Sequence, residues 1–92
     1  MAHTIAVHPG AVLQDELQER GISQALLASH IGVLPKTINE LCRKKRGISA
    51  EMAVKLSRAL GASPDFWLNL QKNWELSQVP AKVGKRIKPL AA

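Results

Sequence analysis

Five residues at fixed offsets between positions 24 and 41 constrain this chain more than any other feature. Counting Gln24 as first, Ala28 is fifth, Gly32 ninth, Ile38 fifteenth and Leu41 eighteenth. Each offset has a physical reason. A small side chain at 28 lets a second helix cross closely, and Gly32 supplies the tight turn between helices. Ile38 and Leu41 form one buried stripe on the helix that follows. Other helical hairpins need apolar stripes too, but have no reason to put Ala and Gly at these offsets. The stretch Ser23 to Arg46 therefore reads as a helix-turn-helix, with one helix placed to enter a DNA groove.

The rest of the chain supplies three more helices. Pro9-Gly10 opens the first, where a missing amide hydrogen costs nothing. Leu13 and Leu17 make its inner face, Asp15, Glu16 and Glu19 its outer face, and Gly21 its end. Ser23 is an N-cap for the second helix, whose inward residues are Leu27 and Ile31. Val33 and Leu34 link to Pro35, which opens the third. Ser49 caps a fourth helix that turns Ala53, Leu56 and Leu60 inward and stops at Gly61. Ser63-Pro64 opens a fifth through about Leu76, holding Phe66, Trp67, Leu68, Leu70, Trp74 and Leu76. The expected class is all-α. Residues 1–8 read as a partly mobile arm, 9–76 as the domain and 77–92 as a basic tail, ordered only by a partner.

Totals narrow the function. At 92 residues, 46% apolar, the chain suits one small domain with a modest core. Thirteen basic against seven acidic residues give a net charge of +6, which favours polyanionic partners. One cysteine, Cys42, excludes an internal disulfide and a cysteine-based zinc site, and fits a reducing cytoplasm. Cys42 follows Ile38 by one turn and is expected to pack. His3 and His8 lack the further ligands a metal site needs. There is no membrane-length apolar run and no signal-peptide pattern. Neither a nucleophile motif, a phosphate loop nor a carboxylate pair in an apolar setting appears, so no enzyme and no cofactor is expected.

In the helix-turn-helix geometry Gln24 reaches a phosphate, and the third helix lies in the major groove with its N-terminal residues nearest the bases. Lys36, Thr37, Asn39 and Glu40 are the candidates for base contact. Lysine donates to guanine, asparagine pairs with adenine and glutamate accepts from cytosine. Glu40 can instead pair with Lys36 or Lys44 one turn away, and Asn39 can bond backbone at the helix end. Arg43, Lys44, Lys45 and Arg46 follow directly, where the DNA backbone must pass, and are assigned to phosphates. The fifth helix carries more apolar surface than a terminal helix easily buries. Phe66, Trp67, Leu70 and Trp74 either complete the core or pair with a second subunit, and a two-fold dimer is the favoured reading.

Four segments also carry a family resemblance: HPGAVLQDELQERGIS, LPKTINELC, RGISAEMAVKLSRALG and SPDFWLNLQ. From His8 to about Trp74 they resemble the HigA antitoxins, also called virulence-associated protein I-like, of the phage-repressor (XRE, Cro/C1-type) class. The resemblance implies a five-helix domain that dimerises on a palindromic operator, represses its own operon and neutralises a HigB-like mRNA-cleaving toxin. It implies a cytoplasmic protein, associated with the nucleoid when bound. It also puts Gln24, Lys36, Thr37, Asn39 and the basic loop at DNA-contacting positions. Two departures stand out. The family often has Asn-Gly where this chain has Arg43-Lys44, so the reading helix must end without its usual positive-φ residue. It also often has a capping Ser or Thr where this chain has Leu34. Two other functions fit the same residues: a stand-alone repressor without a toxin, and a protein-binding inhibitor that does not read DNA.

Overall fold

A computed structural model describes residues 6–91. Five helices follow one another: α1 (Pro9–Arg20), α2 (Gln24–Ile31), α3 (Pro35–Cys42), α4 (Ala50–Leu60) and α5 (Pro64–Gln78). No strand occurs among the described residues, and the all-α expectation holds.

Local chemistry sets the helix starts. The hydroxyls of Ser23, Ser49 and Ser63 accept from the amides of Leu26, Met52 and Phe66 at 3.0, 3.1 and 3.1 Å. Each satisfies a first-turn donor that would otherwise have no partner, worth ~1 kcal/mol per cap. Leu34 makes no side-chain cap for α3, and Pro35 supplies the start alone. Between α2 and α3, Gly32 sits at φ 75° while the Val33 amide donates to Ala28 O at 2.9 Å. That pairing closes the helix end and aims the chain into α3.

Helix α1 packs on α3 and α5, α2 on α3 and α4, and α4 on α5. The core they enclose holds Leu13, Leu17, Leu27, Ala28, Ile38, Leu41, Ile48, Met52, Ala53, Leu56, Leu60 and Trp67. Ile31 is half-buried against it. Ala28 is fully buried, as the close crossing of α2 and α3 requires.

Two segment boundaries need correction. His3 lies outside the described residues, but His8 is 4% exposed and belongs to the domain. Its Nδ1 accepts from the Gly10 amide at 2.8 Å, so it is the N-cap of α1, and its ring meets Trp74 edge-on with centroids 5.2 Å apart. Burial, and secondarily the nearby Lys44 ammonium, hold its pKa below the ordinary histidine value. At the other end α5 runs to Gln78, because nothing before Pro80 interrupts it. Beyond it, short turns close through Pro80–Val83 and Gly84–Ile87, and every residue from 75 to 91 is exposed.

Gly10 has a role beyond starting a helix. A Cβ there would collide with the Leu41 carbonyl oxygen. The first turn of α1 therefore lies against the backbone of α3.

Candidate nucleic-acid interface

The outward residues of α3 are those its buried stripe leaves over. With Ile38 and Leu41 fully buried, Lys36 and Asn39 are exposed and Thr37 and Glu40 half-buried. Asn39 does not bond backbone. Its Nδ2 donates to Gln24 Oε1 at 3.2 Å, and Gln24 Nε2 in turn donates to Gln14 Oε1 at 3.3 Å. Three amides from α1, α2 and α3 thus form a chain that ends on the reading helix. Among the described residues one Asn39 N–H and its Oδ1 have no partner, and they are the donor and acceptor pair that matches adenine N7 and N6. Gln14 joins the site from the structure alone: a glutamine in the middle of a helix carries no signal of its own in the sequence.

Glu40 is committed to cations. Its carboxylate meets Arg46 Nη2 at 3.1 Å and Lys36 Nζ at 3.9 Å. The expected pairing with Lys36 is present but long, and Arg46 takes the place of Lys44 as the second partner. The carboxylate thus lies between two cations, one on its own helix and one in the loop that follows. Exposed pairs of this kind contribute only ~0.2–1 kcal/mol to stability.

The end of α3 resolves how the helix closes with Arg43-Lys44 in place of Asn-Gly. The Lys44 amide donates to Leu41 O at 3.0 Å and the Lys45 amide to Glu40 O at 2.8 Å. This is the paired closure that usually ends on glycine, and Lys44 takes the left-handed position itself, at φ 63°. The basic loop therefore leaves α3 along the usual path at a conformational cost. Arg43, Lys44, Lys45 and Arg46 are all exposed beside the reading helix, and Ile48, 5% exposed, returns the chain to the core. Cys42 is half-buried against that core, and burial pushes its thiol pKa up. That favours the protonated thiol over the nucleophilic thiolate.

The loop is held from α5 as well. Gln71 Oε1 accepts from the Ile48 amide at 2.8 Å, and a Cβ at Gly47 would lie 2.6 Å from the same side-chain amide. Gln71 ends the family segment SPDFWLNLQ, but a helical glutamine gives no sign that it reaches a loop.

A helix-turn-helix family model matches residues 13–67. Virulence-associated protein I of Dichelobacter nodosus is 42% identical over 72 residues, covering 77% of this chain and 67% of that protein. Antitoxin HigA-1 of Vibrio cholerae is 35% identical over 88 residues, covering 91% of this chain and 83% of that protein. The chain belongs to the HigA antitoxins. Among solved structures, the Pseudomonas aeruginosa antitoxin HigA with the higBA promoter superposes at a TM-score of 0.84, with 42% identity over 95% of this chain and 100% of that one. The resemblance carried by the four sequence segments thus holds along almost the whole chain.

One part of the expected dimer face is corrected by the packing. Trp67 is 1% exposed and sits inside the chain's own core, so it has no surface to offer a second subunit. Phe66, its neighbour in sequence, is 43% exposed; Leu70 and Trp74 are half-buried.

Proposed function

We propose that the chain is the antitoxin of a toxin–antitoxin pair. In this reading it binds the promoter of its own operon, represses it, and neutralises a HigB-like mRNA-cleaving toxin. The observation that carries the DNA half is the Gln14–Gln24–Asn39 amide chain, which orients an exposed asparagine on α3 before any base arrives. Preorganisation of this kind lowers the entropy cost of a bidentate base contact. Lys36 and Thr37 flank Asn39 as the other base-reading side chains. Lys44, Lys45, Arg43 and Arg46 take phosphates, with Glu40 placing Arg46. The likeness to a Pseudomonas aeruginosa HigA solved with its promoter supports DNA binding as such.

Two-fold pairing follows from the same reading. A single α3 spans one half-site, and two copies about one helical turn (~34 Å) apart read a palindrome. The apolar surface assigned to pairing in this reading is that of α5: Phe66, Leu70, Trp74 and Leu76, the last 64% exposed. No helix of the described residues is long and apolar enough to cross a membrane, and the site of action in this reading is the cytoplasm and its nucleoid. The test is co-expression with the neighbouring toxin-sized reading frame. A stable co-purifying complex and rescue of growth are expected. Growth arrest unrelieved by the chain, with no complex, removes the antitoxin half and leaves a stand-alone repressor.

A further inference from the structure

The basic loop after α3 is the part of the interface with the least packing of its own. All four cations from Arg43 to Arg46 are exposed. Three constraints nevertheless fix its course: the left-handed Lys44, the Arg46–Glu40 ion pair at 3.1 Å, and the Gln71 side chain. The first two act from α3 itself. Of the three, only Gln71 ties the loop to a different element, twenty-three positions beyond Ile48 along the chain.

We propose that Gln71 is a positioning residue for DNA phosphate binding, acting through its packing on Gly47 and not by touching DNA. Its Oε1 accepts the Ile48 amide, the first buried backbone donor after the loop. Its side-chain amide also fills the space beside Gly47, where a Cβ would lie 2.6 Å from both Nε2 and Oε1 and 2.7 Å from Cδ. Gly47 is not at positive φ, so backbone conformation does not demand glycine there. The space beside it is taken by the far end of the Gln71 side chain, which an added Cβ would displace from the Ile48 amide. The clamp holds the end of the loop opposite to Lys44, and so sets the distance between α3 and the cations that follow it. It also places α5, the helix with the exposed apolar surface, directly against the phosphate-binding segment.

This inference rests on DNA binding as the function, and the wild-type chain supplies the control. Binding of the full-length chain to a duplex carrying its own promoter is followed by fluorescence anisotropy across a salt series. Gln71→Ala is expected to weaken binding roughly tenfold and to lower the slope of log K against log salt by ~0.9 for each phosphate that the loop no longer neutralises. Gly47→Ala, which pushes the same amide aside, is expected to do likewise. In the Gln71→Ala background, where the space is free, Gly47→Ala is expected to add less than about twofold. A fall in thermal midpoint with the wild-type slope intact shows Gln71 to be merely structural and overturns the proposal. Additive effects of the two alanine substitutions overturn it too. A wild-type chain that binds no DNA at low salt sinks the underlying function instead, and the two failures are thus told apart.

Discussion

Lys44 couples the stability of the reading helix to its affinity for DNA, and substitutions there should move the two in opposite directions. A non-glycine residue in the left-handed region costs ~1–2 kcal/mol, and Lys44 holds φ 63° with both closing hydrogen bonds in place. Glycine removes that cost but gives some back through the freedom of the unfolded chain. Lys44→Gly should therefore stabilise the domain by ~0.5–1 kcal/mol net. For a domain of this size that corresponds to a rise in thermal midpoint of roughly 2–8 °C. The same substitution deletes one cation beside α3, so the salt slope of promoter binding should fall by ~0.9. Lys44→Ala separates the two effects: it removes the charge and keeps the strain, giving the same lower slope without the stability gain. Calorimetry and anisotropy titrations on the three proteins provide the readings. A midpoint for Lys44→Gly at or below that of Lys44→Ala would refute the strained closure. An unchanged slope in both would refute the phosphate assignment.

Other substitutions test the remaining interactions. Lys45→Ala and Arg46→Ala should weaken binding to promoter and unrelated DNA alike, each lowering the salt slope by ~0.9; unchanged slopes would remove those cations from the interface. Gly10→Ala should destabilise by ~1–3 kcal/mol although alanine is the better helix former by ~1 kcal/mol, because the added Cβ meets the Leu41 carbonyl. A higher midpoint by calorimetry would show that α1 does not brace α3. His8 should make stability depend on pH. Its folded pKa is depressed, so the unfolded chain binds more protons just below pH ~6.5, and stability is lost as the pH falls through that value. Thermal midpoints measured from pH 7.5 to 5.5 should drop for the wild type and flatten for His8→Asn, which caps without titrating there. An equal drop in both would place the titration elsewhere.

The features legible in the sequence are local ones. The caps at Ser23, Ser49 and Ser63, the turn at Gly32 and the buried pair Ile38 and Leu41 each depend on neighbours within a turn or two, and the folded chain has all of them. The interactions that position the interface join residues far apart. Gly10 against Leu41, Gln71 against Ile48 and Gln14 against Gln24 become neighbours only once the helices pack. His8 reads as part of the terminus in sequence because histidine is an uncommon cap, and its acceptor role needs a neutral, buried ring. Trp67 is assigned to a dimer face by sequence because apolar residues nearly encircle α5. Periodicity cannot choose a side there; packing of α5 against α4 and α1 does.

The role of the preset asparagine is tested most directly by one titration. Anisotropy of a labelled duplex carrying the chain's own promoter is compared with a scrambled duplex at one physiological salt concentration. Specific readers of this kind discriminate by ~10³ or more, and the wild-type chain should do so, with Asn39→Ala losing ~1–3 kcal/mol on the promoter alone. Equal affinity for the two duplexes, or equal loss on both in Asn39→Ala, would contradict sequence reading by α3.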